Sequence, residues 1–74
     1  MQYRTLGRTG LEVSELGFGG WEIGWTPPEE ADEVGRMLNR ALDLGINFID
    51  SSAAYRRSEE LIAKYVGHRR DEFI

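Results

Sequence analysis

The chain has 74 residues, 41% hydrophobic and 30% charged, which is room for one small domain at most. Thirteen acidic against nine basic residues leave a formal charge of −4, arguing against a broad electrostatic grip on nucleic acid phosphates or an anionic membrane. The absence of cysteine excludes disulfides, thiolate metal sites and a thiol nucleophile.

In chain order, Tyr3 to Leu6 alternates polar and apolar residues, Gly7-Arg8-Thr9-Gly10 supplies a tight reversal, and Leu11-Glu12-Val13 resumes the alternation, which predicts a β-hairpin. Glu15 to Gly19 predicts a strand with Leu16 and Phe18 packed on one face and glycines on the other, where something can approach closely. A loop from Gly20 to Trp25 follows. Thr26-Pro27-Pro28-Glu29 then reads as a helix start, with threonine as cap, proline in the first turn and Glu29 in a capping box. Ala31, Val34, Leu38, Ala41 and Leu42 recur at helical spacing, and Gly45 is the expected stop.

Ile46-Asn47-Phe48-Ile49 reads as a buried strand ending at Asp50. Beyond a loop carrying Ser51, Ser52 and Tyr55, Ser58 is placed to cap a second helix with Leu61, Ile62, Tyr65 and Val66 as its apolar stripe, Glu60 and Lys64 as an ion pair, and Gly67 as its close. His68 to Asp71 reads as a polar connection, and Glu72-Phe73-Ile74 as the first residues of another strand. Strands alternating with helices predict right-handed βαβ units and a parallel sheet, hence the amino-terminal part of a larger α/β protein.

Gly17-Phe18-Gly19-Gly20 after a strand suggests a dinucleotide fingerprint, but Glu22 stands where its third glycine belongs and the helix begins several residues late. The Walker pattern fails at Trp25, where lysine is required. Asp50 and Tyr55 follow the carboxyl end of a strand, the edge at which α/β barrels keep their sites. A phenol near pKa 10 needs a positive neighbour to stabilise its phenolate, and a lysine held by an aspartate supplies one. Lys64, on an exposed helix face beside Glu60, is a poor candidate for it. His68, the lone histidine, has no second ligand at metal-binding spacing, so it reads as a solvated turn residue. Trp21 and Trp25 read equally as packing anchors or as walls of a ligand pocket.

Tyr3 to Ser14, Leu16 to Trp21, Ala41 to Ser51, and Tyr55 with Ser58-Glu59-Glu60-Leu61 together resemble the opening of the aldo-keto reductase family. The resemblance implies the start of a (β/α)8 TIM barrel preceded by a β-hairpin, and NADPH-dependent reduction of aldehydes or ketones. Asp50 matches the aspartate that orients a lysine and lies near the nicotinamide ribose, and Tyr55 the tyrosine that donates the proton. Gly20 and Trp21 match the loop lining the cofactor and substrate site, with Gly19 a secondary candidate. No metal is implied. Arg56 departs from the pattern, standing where many members have glycine.

The family's lysine is expected about four residues beyond Ile74, at the end of the third strand, and its histidine farther on. The expectation is therefore an amino-terminal enzyme fragment, inactive by itself, of a cytoplasmic protein whose partner is a small carbonyl compound. A regulatory nicotinamide-binding subunit and a short protein that folds by oligomerising are the alternatives. No segment has the apolar core of a signal peptide or the length of a membrane span.

Overall fold

The segment around Gly7 and Gly10 reverses the chain. In the computed structural model, which describes residues 1–74, strands β1 (Tyr3–Thr5) and β2 (Glu12–Ser14) pair antiparallel with Arg4 opposite Val13. Gly7 and Gly10 adopt φ of 54° and 77°, a region that side chains with a Cβ avoid. The Thr9 hydroxyl donates to the Leu6 carbonyl at 2.6 Å and steadies the turn between them.

Strands β3 (Phe18–Gly19) and β4 (Ile49–Asp50) are parallel neighbours, Phe18 beside Ile49 and Gly19 beside Asp50. Both are shorter than the sequence suggests. The Ser14 hydroxyl donates to the Leu16 carbonyl at 2.6 Å, the chain bends there, and Leu16 is left 59% exposed. The expectation that Leu16 shares a packed face with Phe18 is thereby corrected: Phe18 alone reaches the core. At the far edge, the Ile74 N–H donates to the Asn47 carbonyl (2.7 Å) and the Ile49 N–H to the Ile74 carbonyl (2.9 Å). Those two bonds form a parallel bridge about Phe48 and bring Phe73 and Ile74 in beside β4, while Glu72, expected in that strand, instead ends the 3-10 turns before it.

Helix α1 (Ala31–Asp43) buries Ala31, Val34, Leu38, Ala41 and Leu42, the predicted stripe, together with Gly35. Its start differs from the expectation. Proline disfavours helical backbone in the residue before it, so Pro27 is extended (ψ 146°) and Thr26 lies outside the first turn (ψ 131°). A 3-10 turn over Pro28–Glu30 leads into α1 with no side-chain cap, so neither Thr26 nor Glu29 forms the capping box. Gly45, at φ 98°, ends the helical stretch as expected, and the Tyr3 hydroxyl donates to its carbonyl at 2.7 Å.

Helix α2 (Ser58–Val66) packs on α1, burying Leu61 and Val66 completely. The helices meet where Gly35 makes room for the Tyr65 ring; a Cβ there would lie 2.3 Å from Tyr65 Cδ1. Tyr65 donates to the Asp32 carboxylate (2.8 Å), and the Asn39 side-chain amide donates to the carbonyls of Gly35 and Tyr65. Three further expectations are corrected here. Arg57, not Ser58, is the cap residue; Ser58 lies inside the helix with its hydroxyl turned to Ser51. Glu60 pairs with Arg57 at 3.2 Å, while the Lys64 ammonium sits 5.2 Å from the Tyr65 ring centre. Gly67, at φ −58°, carries the chain on into 3-10 turns over Gly67–Glu72. That polar connection is a staple: Arg69 pairs with Asp43 (2.9 Å) and Glu72 (2.8 Å) and donates to the Asn39 side chain.

The core lies between the helices and one face of the sheet, where Phe18, Ile49 and Phe73 pack against Leu38, Leu61 and Val66. Strand alternation puts Gly17, Gly19, Phe48 and Asp50 on the other face. That face is open, with Gly17, Gly19 and Asp50 exposed. The total accessible surface of 5080 Å² exceeds the roughly 4,600 Å² usual for a folded monomer of this mass. An uncovered parallel sheet accounts for the excess and for why the apolar run Ile46–Ile49 is only half-buried. No helix is long and apolar enough to cross a membrane.

Candidate active site

The carboxyl ends of β3 and β4 lie side by side, and the loop leaving each strand closes on the other. The Gly20 N–H donates to the Asp50 carbonyl at 2.7 Å and the Arg57 N–H to the Gly24 carbonyl at 3.3 Å. A 3-10 helix over Glu22–Trp25 lies against the amino end of α2 so closely that a Cβ on Gly24 would fall 1.8 Å from the Tyr55 carbonyl oxygen. Gly24 is the residue that lets the first loop seat against the second. Sequence reading passed over it, because a glycine within a loop has no signature until its neighbour is known.

The structure thus brings Gly20, Asp50 and the Tyr55 loop to one end of the sheet. Asp50 is exposed on the open face and Tyr55 half-buried, and neither takes part in an ion pair of the chain. Within its loop Tyr55 is fixed by backbone: its N–H donates to the Ser52 carbonyl (3.0 Å) and its carbonyl accepts from Ser58 (2.9 Å). The next residue, Arg56, has φ 47°, the only non-glycine in left-handed backbone. The conformation that glycine would favour is therefore kept with arginine in place.

Gly20 and Gly19 differ. Gly20 is buried, and a Cβ on it would lie 2.7 Å from Ser58 Oγ and 2.8 Å from the Asp50 carbonyl, so its missing side chain is used inside the fold. Gly19 has nothing within 4 Å of that position, so the open approach lies over Gly19. Trp21 and Trp25 pack on each other, with ring centres 4.7 Å apart and planes tilted by 35°, yet stay 56% and 43% exposed. Trp21 also lines an open depression of about 430 Å³ with Gly17, Phe18, Gly19, Ile23 and Met37. His68 is exposed, and no cluster of His, Asp and Glu could hold a metal ion.

The shifted ionisations lie away from this end. The Arg69 guanidinium hydrogen-bonds Glu72 and holds its carboxyl below the usual range, and Glu33 raises Arg36 in the same way on α1. Arg69 was not foreseen as a structural residue: its partners Asp43 and Asn39 lie 26 and 30 positions away, beyond any local pattern.

Against known proteins, the description that matches is the aldo/keto reductase family, over residues 15–74. Aldo-keto reductase YhdN of Bacillus subtilis (strain 168) is 38% identical over 81 residues, covering all of this chain and 24% of that protein. A protein named "Probable voltage-gated potassium channel subunit beta" from Oryza sativa subsp. japonica is 34% identical over 79 residues with the same coverages. Among solved structures, a Pseudomonas aeruginosa protein described as an aldo-keto reductase superposes with a TM-score of 0.86 at 43% identity, over 97% of this chain and 28% of that one. The chain spans about a quarter of the length of the curated relatives it matches.

Proposed function

The chain belongs to the aldo/keto reductase family, and from that premise we propose that it forms the opening part of a cytoplasmic (β/α)8 barrel that reduces aldehydes or ketones with NADPH. The observation that carries this reading is the convergence of Asp50 and the Tyr55 loop, both without an ion-pair partner, at the carboxyl ends of parallel strands.

The residues present fit a flat nicotinamide: the space over Gly19 is open, Trp21 offers an exposed ring, and Asp50 presents an exposed carboxylate. Trp21 and Asp50 would hold it, while Gly20 contributes by letting β3 lie close to Asp50. Bound there, the cofactor supplies the hydride. Tyr55 donates its phenolic proton to the carbonyl oxygen, which leaves an alcohol and a phenolate to be reprotonated. Asp50 orients the lysine ammonium that stabilises the phenolate left behind. Lys64, held over the Tyr65 ring, is not that lysine, which comes from sequence other than these residues.

The test is turnover by the complete gene product carrying residues 1–74, read as NADPH oxidation with a small aldehyde. Tyr55→Phe is expected to lower kcat by about 10² to 10⁴-fold, the usual worth of a positioned proton donor, with cofactor affinity retained. Full activity of Tyr55→Phe overturns the reading.

The similarity to a protein named as a channel β subunit favours a second reading, a nicotinamide-binding barrel that serves as a regulatory subunit. Tight cofactor binding with negligible turnover across several aldehydes and ketones would decide for it.

A further inference from the structure

The loop that carries Tyr55 begins and ends on a hydroxyl. Ser51 follows Asp50 directly, Ser58 is three residues beyond Tyr55, and their Oγ atoms lie 2.7 Å apart. Ser58 is completely buried although it starts a helix on the protein's rim, and its hydroxyl makes no capping bond. Gly20 closes the third side of the pair, with no room between its Cα and Ser58 Oγ for even a methyl group. The Ser58 hydroxyl, enclosed this way, has no water to fall back on and depends on half-buried Ser51 for its hydrogen bond.

We infer that Ser58 is a positioning residue: through Ser51 it clasps both ends of the 51–58 loop and so sets Tyr55 relative to Asp50. Without the clasp, the loop keeps its own turn bonds, the Tyr55 N–H to Ser52 and the Ser58 N–H to Tyr55, and the Arg57 N–H bond to Gly24 of the neighbouring loop. Those bonds shape the loop without tying it to the strand end. The Ser51 to Ser58 contact is the side-chain link between the residue after Asp50 and the helix that follows Tyr55. The inference rests on the reading of Tyr55 as the proton donor.

The experiment compares Ser58→Ala, Ser51→Ala, the double variant and Ser58→Cys with Tyr55→Phe in the complete gene product. Each single alanine variant is expected to lose about tenfold or more in kcat, since small displacements of a reacting group are costly, with the cofactor's KM changed less than about threefold. The double variant should be no worse than the poorer single one, because both remove one contact. The alkaline limb of the kcat against pH profile, which reports the proton donor, should move in both. Ser58→Cys, keeping bulk and a weak donor, should recover part of kcat.

The inference is overturned if Ser58→Ala retains kcat within about twofold while Tyr55→Phe loses it, an outcome that leaves the role of Tyr55 standing. A fall in activity that only tracks the folded fraction, with an unmoved pH profile, also overturns it. An active Tyr55→Phe removes both readings together. Should Ser58→Ala fail to fold, Ser51→Ala at the half-buried partner decides by the same measurements.

Discussion

The two ends of the parallel sheet use their polar groups in opposite ways. At the amino end Asn47 spends its whole side chain on the fold: Oδ1 accepts from the Ser14 N–H at 2.7 Å, Nδ2 donates to the Glu12 carbonyl at 2.9 Å, and its own N–H donates to Ser14 Oγ. Tyr3 and Gly45 close the same end. At the carboxyl end only the supports are satisfied, Gly20 to Asp50 and Ser51 to Ser58, while the Asp50 carboxylate stays exposed and outside every ion pair. A chain that needed nothing but stability would have no reason to treat its two ends so differently. Barrels separate the tasks in this way, stability at one face and chemistry at the other.

The largest stability effect expected is at the support of the carboxyl end. Gly24→Ala would drive a methyl into the Tyr55 carbonyl, and backbone must move to accept it, at a cost of about 3 kcal/mol in chemical denaturation. Next comes Asn47→Ala. It strands the buried Ser14 N–H and removes the bond to the exposed Glu12 carbonyl, costs about 2 kcal/mol, and leaves activity per folded molecule of the complete gene product unchanged. A loss of kcat in Asn47→Ala with no loss of stability would break the contrast between the ends.

Arg56→Gly should act in the other direction. Relief of left-handed backbone, worth about 1 kcal/mol, less the added chain entropy of glycine, leaves a gain of about 0.5 kcal/mol in stability. The smallest effect belongs to Glu72. Pairing with Arg69 lowers its carboxyl pKa on folding, so the pair adds stability above the ordinary glutamate range and loses it as the pH falls through and below that range. The difference in Tm between the native chain and Glu72→Gln should therefore be present at neutral pH and shrink in acid.

Much of the scaffold was legible because it is local. The stripe from Ala31 to Leu42 and the stop at Gly45 follow from helical period and glycine chemistry, and the structure reproduces them. The parallel pairing of β3 with β4 follows from the alternation of elements. The helix starts were misread, since Thr26 and Ser58 are good cap residues by type. Pro28 moves the first start onward, and the half-buried Ser51 hydroxyl claims Ser58. Gly24, Gly35 and Arg69 were invisible for another reason: each is explained by a residue 26 to 31 positions distant, and no local window contains both partners. In the candidate site, Asp50 and Tyr55 stood out through their place after a strand, whereas the hydroxyl pair beneath them needed three dimensions.

The single rung between Ile74 and Phe48 acts as an indexing mark. Bridged residues of parallel strands share a face, so Ile74 lies in phase with Phe48 and Asp50 and out of phase with Phe73, which turns to the helices. Any strand grown onward from this point inherits that parity: every second residue counted from Ile74 would project alongside the Asp50 carboxylate, and a one-residue insertion would send a cation meant for it to the wrong side.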